Sequence, residues 1–273
     1  MIGIRCGITA GISAGIGVGT SPGAGGGGGI PGVTRDATSS KYRPANTSEW
    51  TALMTAAVLA TGNPSSTWPM QEASGNLADS IGTVTLTAAG ASLLYRQAVA
   101  GWSSLALTIP DGLANHNAQN TTTCPDISLT SVMLLLYVRM PAAAPAATRR
   151  FLRLDSTGVL IPITTMPRLQ CTTGGVGGTT VTGASDPTGG AVRPVVVVID
   201  RTGGRAVLYT DQEKIIGTVG TYTGIVLGIG SSGGNSADSG FLYGAAFSGA
   251  SAELSDAQVK TLLVTLGWSI PWT

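Results

Sequence analysis

The side chains able to do chemistry are few and scattered. The only glutamates are Glu49, Glu72, Glu213 and Glu253. Retaining hydrolysis of a glycosidic bond needs two carboxyl groups about 5 Å apart, commonly on alternate residues of one strand. No Glu-x-Asp-x-x-Glu pattern supplies such a pair, and Glu49 and Glu253 are explained by helix starts. The single histidine, His116, lies in the polar run Asn115-His116-Asn117 and no Gly-x-Ser-x-Gly nucleophile elbow accompanies it there, so it reads as a surface residue. Asp200, Asp211 and Asp238 fall at strand ends, where aspartate serves either as a calcium ligand or as a turn residue. Cys6, Cys124 and Cys171 form no CxxC or Cys/His pair, which argues against a metal site. They read as small hydrophobes, with one disulfide left open. Gly25 to Gly29 lacks the Lys-Ser/Thr that a phosphate loop requires. Trp68 and Trp102 remain: each either stacks on a sugar or fills the core, and Trp102, in Ala100-Gly101-Trp102-Ser103, is the candidate ligand contact. The expectation is a chain with no catalytic, cofactor or metal residues, not an enzyme, with calcium as the one ion to consider.

Composition narrows the partners. Charged residues make up 11% of the 273 and the net charge is +1, so there is no electrostatic footprint for nucleic acid or anionic membrane. No apolar run reaches transmembrane length, and membrane insertion is not expected. With 43% hydrophobic residues the body is not disordered. So little charge implies that much of the surface is covered by partners.

The elements that must position these residues are mostly strands. Val195 to Asp200 is a β-branched run with both faces covered. Arg201-Thr202-Gly203-Gly204 turns it into a return strand, Arg205 to Asp211, because glycine supplies the positive φ of a tight hairpin. Ile225 to Gly230 and Gly240 to Phe247 follow. Upstream candidates are Thr83–Thr87, Leu93–Gln97, Leu105–Ile109, Ser131–Met140, Phe151–Asp155, Val159–Ile163, Arg168–Thr172 and Thr179–Thr182. About a dozen short strands with Gly, Pro and Asn turns specify an all-β sandwich. Two helices flank them. Asn46 caps the first, with Glu49 three residues on, a stripe of Trp50, Leu53, Met54, Ala57 and Val58, and Gly62 as its end. Ser255 and Gln258 open the second, with Val259, Leu262, Leu263 and Leu266 as its stripe and Gly267 as its stop.

The N-terminus has its own pattern. Ile2, Ile4, Cys6, Ile8, Ala10, Ile12, Ala14, Ile16 and Val18 alternate with glycine or polar residues from Gly3 onward. That is the strand period, and helical glycines would cost roughly 1 kcal/mol each. Residues 1–20 are therefore read as an extended β assembly arm whose contacts are Ile2, Ile4, Ile8, Ile12, Ile16 and Val18. A signal peptide is the competing reading, poorly served by a glycine at every fourth position. Such an arm must pair with another subunit or a structural partner. Residues 21–45 read as a Gly-rich linker and 46–273 as the folded domain.

Residues 64–268 carry a family resemblance. Trp68-Pro-Met-Gln-Glu-Ala-Ser-Gly with Asp79-Ser80-Ile81-Gly82, Val198-Ile199-Asp200-Arg201, Leu208-Tyr209-Thr210-Asp211, Leu227-Gly228-Ile229-Gly230 and Ala252 to Val259 together resemble the concanavalin A-like jelly roll of laminin-G-like, pentraxin-type domains. Gln212 departs from the glycine usual after that Tyr-x-Asp. The resemblance implies a jelly-roll β-sandwich with a strand-then-capped-helix ending. It also implies surface or glycan contact, in a family that includes glycoside hydrolases. A chain beginning at Met1, poor in charge and bearing an assembly arm, is expected to be a phage virion component, a capsid decoration protein or a head or tail fibre used in host attachment. The alternative is a secreted or cell-surface bacterial lectin-like carbohydrate-binding module. A glycan-cleaving enzyme acting through Glu72 or Glu213 is the third.

Overall fold

The computed structural model describes residues 29–60, 62–89, 93–111, 117–120, 131–153, 159–163, 168–173, 179–219, 227–230 and 237–273. The arm residues Ile2 to Val18, the linker up to Gly28, His116, Cys6 and Cys124 lie outside these.

The described residues form an all-β, jelly-roll-like sandwich with two short helices. Helix α1 is Thr47–Ala56 and α2 is Asp256–Thr265; a 3-10 turn, Gly249–Ala252, precedes α2. The strands are β1 Ser66–Trp68, β2 Thr87–Ala89, β3 Leu94–Gln97, β4 Ala106–Ile109, β5 Asn117–Asn120, β6 Val132–Arg139, β7 Arg149–Arg153, β8 Val159–Ile163, β9 Gln170–Thr173, β10 Thr180–Thr182, β11 Val192–Asp200, β12 Arg205–Tyr209, β13 Lys214–Thr218, β14 Leu227–Gly230 and β15 Ser239–Ser248. One sheet runs β13-β12-β11-β6-β15-β4-β3, with β1 also on β15; the other runs β10-β9-β8-β7-β14-β5-β2. The pairings are antiparallel throughout, for example Val197 opposite Leu134 and Leu208.

Parity along the central strands explains a three-layer build. Leu134, Leu136 and Val138 of β6 and Val195, Val197 and Ile199 of β11 face the second sheet, packing with Leu152 and Ile229. Met133, Leu135 and Tyr137, with Val196 and Val198, point the other way and meet Trp50, Leu53, Val259, Leu262, Leu263 and Leu266 of the helices. A strand with period two buries both faces only when each has a cover. The helices supply the second cover, and all five residues from Val195 to Ile199 are fully buried.

Local signals position the helices. The Ser255 hydroxyl accepts from the Gln258 N–H while the Gln258 side chain accepts from the Ser255 N–H, a complete capping box. Asn46 caps α1 by accepting from the Glu49 N–H; Glu49 accepts in return from the Asn46 side-chain amide at 2.8 Å, and from the Ala45 and Thr34 N–H groups rather than from the cap's backbone N–H.

Four expectations are corrected. Val58 is not in the α1 stripe: the helix stops at Ala56, and Val58 is 89% exposed with φ +55, so the end comes well before Gly62. In the β11–β12 turn only Gly204 takes positive φ (+66), because the Gly203 N–H is held by the Asp200 carboxylate at 2.7 Å. Strands β5 and β13 were not expected. Asn117-Ala-Gln-Asn has weak strand propensity and is made a strand by pairing with β14 and β2. Residues 30–45 are not linker. Val33 and Tyr42 join the core, Asp36 and Arg43 are buried, and the Tyr42 N–H donates to Leu266 O at 3.0 Å. This stretch is a strap lying across the helical face of the large sheet.

Candidate functional site

Most residues singled out for chemistry are committed to the fold. Glu72 accepts from the Ala78 N–H at 2.9 Å, and Glu213 from the Ala184 and Ser185 N–H groups at 2.6 and 3.2 Å. Glu49 serves α1, and Glu253 accepts from Ser131 and Thr202 hydroxyls at 2.7 and 2.8 Å. The three calcium candidates are kept apart, each paired with a different arginine: Asp200 with Arg205, Asp211 with Arg193 and Asp238 with Arg139. Among the described residues no group of three or more His, Cys, Asp or Glu could hold a metal ion. Trp68 is wholly buried between the sheets, its indole N–H donating to Val84 O at 2.7 Å, and contacts no ligand from there.

Trp102 differs. It is half-buried, with the exposed residues Gly101 and Ser103 on either side. Its ring lies 5.8 Å from Tyr137 and 6.1 Å from Trp268, tilted 57° and 33°. Tyr137 in turn packs 5.2 Å from both Trp268 and Tyr243. The tyrosine hydroxyls anchor the strap, Tyr137 donating to Tyr42 O and Tyr243 to Pro44 O, each at 2.7 Å. Lys41 Nζ sits 4.9 Å above Trp268 and donates to Gly267 O. Burial lowers the Lys41 pKa, and Asp211 opposes that shift.

The loop carrying Trp102 is held from three sides. Gly101 takes φ +77, open to glycine without strain, and the Trp102 N–H closes a turn onto Val99 O at 3.1 Å. Asp36, from the strap, accepts from the Ser103 N–H at 3.1 Å, the Ser103 hydroxyl at 2.8 Å, the Ser104 N–H at 2.7 Å and the Ser104 hydroxyl at 2.6 Å. Burial pushes its carboxyl up, but the hydrogen bonds from Ser104, Ser39 and Ser103 outweigh burial and hold it far below the usual carboxylate range. Arg43 donates to the same Ser104 hydroxyl, and to Pro69 O and Leu242 O at 2.7 Å each. The outcome is a partly buried indole packed against Tyr137 and Trp268, with Lys41 over the neighbouring Trp268 ring.

Sequence reasoning named Trp102 but missed Asp36, Lys41 and Arg43, which fell inside the supposed linker. A signal existed: Arg35, Asp36, Lys41 and Arg43 bring four charges into nine residues of a chain that is 11% charged.

The described residues define an all-β, jelly-roll-like sandwich. The sequence matches no protein-family model and no curated protein. Among solved structures it is similar to Trypanosoma rangeli sialidase in complex with sialic acid (TM-score 0.54, 11% identity, 74% of this chain and 33% of that one). The same enzyme with 2,3-difluorosialic acid, a covalent intermediate, gives TM-score 0.56, 12% identity, 74% and 32%. The binding domain of botulinum neurotoxin DC in complex with SialylT gives TM-score 0.52, 11% identity, 74% and 51%. The chain thus spans about a third of the sialidases' length and about half of the toxin domain's.

These neighbours correct the expectation that the chain is not an enzyme. That expectation rested on a missing carboxylate pair, and sialidases use a tyrosine nucleophile instead, so the missing pair excludes no glycosidase-like relation. In this chain burial raises the pKa of Tyr137, Tyr209 and Tyr243, keeping those three hydroxyls neutral.

Proposed function

We propose that this chain is a lectin-like, carbohydrate-binding jelly-roll domain whose contact platform is Trp102. The observation that carries this reading is the partly exposed indole held against Tyr137 and Trp268 by a fixed loop. A pyranose presents an apolar C–H face that stacks on an aromatic ring, and a ring already immobilised loses little entropy on binding. Lys41, 4.9 Å above the Trp268 ring that packs against Trp102, favours glycans bearing a carboxylate. Sialylated sugars are therefore the first probes, a choice supported by the ligands of the sialidase and toxin-domain structures. The test is calorimetric titration with sialyllactose and with lactose, on the wild type and on Trp102→Ala. Binding that Trp102→Ala weakens at least tenfold supports the reading, and binding indifferent to the substitution sinks it. A fluorogenic sialoside in the same preparation reports any glycosidase-like turnover.

A second reading, a virion structural subunit that self-associates through its N-terminal arm, is favoured by the strict alternation of residues 2–18. It requires the chain lacking residues 1–28 to lose its assembly state, read by sedimentation.

A further inference from the structure

We propose that Asp36 is a positioning residue for the Trp102 platform, setting the pose of an indole 66 residues away through the serines that follow it. The proposal rests on the carbohydrate-binding reading and deepens it. Asp36 is 3% exposed and uses both carboxylate oxygens. Oδ1 is turned to its own strap, accepting from the Thr38 N–H at 3.1 Å, the Ser39 N–H at 2.7 Å and the Ser39 hydroxyl at 2.9 Å. Oδ2 is turned to the Trp102 loop, where all its partners are the N–H and O–H groups of Ser103 and Ser104. The Ser103 N–H is shared, lying 3.2 Å from Oδ1 as well. One carboxylate thus closes two loops against each other. The strap answers in kind, the Ala37 N–H donating to the Ser103 hydroxyl at 2.9 Å.

The chemistry of the donor set requires a carboxylate. Every group facing Asp36 in these contacts is a donor, and only a side chain with two accepting oxygens satisfies both loops. An asparagine accepts through one oxygen and sets its amide against N–H groups, so one of the two loops is released. Arg43 faces the pair through Ser104 and supplies the compensating charge. Without Asp36, Trp102 keeps its neighbours Tyr137 and Trp268, but the peptide that follows it is no longer fixed.

The experiment uses the full chain labelled with 5-fluorotryptophan, the Trp102 resonance being assigned by its disappearance in Trp102→Phe. In Asp36→Asn, below its melting temperature, the Trp102 resonance should shift or broaden while those of Trp50 and Trp68 stay in place. Sialyllactose affinity of that folded protein should fall at least fivefold. Asp256→Asn is the control for destabilisation alone: it removes contacts with Arg205, Tyr209 and Lys214 and touches neither Asp36 nor the Trp102 loop, so affinity below its own melting temperature should remain within twofold of wild type. If Asp36→Asn does not fold, Ser103→Ala/Ser104→Ala removes the hydroxyl half of the clamp and should perturb the same resonance. A Trp102 resonance unchanged in whichever of the Asp36 and Ser103/Ser104 variants folds overturns the positioning role, as does an Asp256→Asn affinity loss equal to that of Asp36→Asn. If Trp102→Ala leaves binding intact, the carbohydrate reading fails instead, and the fluorine spectra still decide whether Asp36 holds Trp102.

Discussion

Replacing Arg43 by alanine should be among the most damaging single changes in the strap. Its guanidinium donates to the Ser104 hydroxyl, Pro69 O and Leu242 O and lies 5.8 Å from the Tyr243 ring, with the residue only 9% exposed. Removing it strands buried carbonyls at about 1–3 kcal/mol each. It also takes away the hydrogen bond to the Ser104 hydroxyl, through which Arg43 faces Asp36. Asp36 keeps its serine and backbone donors, so the two stranded carbonyls, at about 2 kcal/mol each, give an expected loss of about 4 kcal/mol. At roughly 2–4 °C per kcal/mol for a domain of this size, the melting temperature should drop by roughly 8–16 °C. Arg43→Lys keeps the charge but has no planar fork to reach Pro69 O and Leu242 O together, and should fall between alanine and wild type. The assay is thermal unfolding by near-ultraviolet circular dichroism. A drop below about 2 °C for Arg43→Ala, under 1 kcal/mol on the same scale, would show that the strap is a passive covering and refute the reasoning.

Two further outcomes follow from the same contacts. Asp256 accepts from Arg205, Tyr209 and Lys214, and although burial raises its pKa, these hydrogen bonds bring it to about 2. A carboxyl depressed in the fold stabilises above its unfolded pKa of about 4 and loses that contribution as pH falls toward 2. Asp256→Asn should therefore cost about 1 kcal/mol at pH 7, after allowing for solvent screening, and flatten that part of the acid dependence in melts from pH 5 to 2. Deleting residues 1–28 should leave the melting temperature within 2 °C of wild type (under about 1 kcal/mol), whereas deleting 1–45 removes Val33, Asp36, Tyr42 and Arg43 and should abolish a cooperative transition.

What could be read from the sequence was whatever a single segment determines by itself. The β-branched run at Val195–Ile199 announced two covered faces, and Ser255 with Gln258 announced a capped helix; both stand in the structure. Strand β5 could not be read, since four residues of Asn-Ala-Gln-Asn become a strand only through neighbours far along the chain. The strap was hidden for a similar reason. Asp36 and Arg43 are buried by partners 26 to 199 residues distant, and the glycines before them suggested flexibility. Trp102 was identified as a candidate from its residue type, but its fixation by Asp36 depends on tertiary contact alone.

The most direct test of the central claim is the affinity of the wild type and of Trp102→Ala for sialyllactose, measured by calorimetry with both proteins shown to be folded. Saturable binding by the wild type, weakened at least tenfold by the substitution, is the predicted result. Equal binding by both proteins, or none by the wild type to either sialyllactose or lactose, would contradict it.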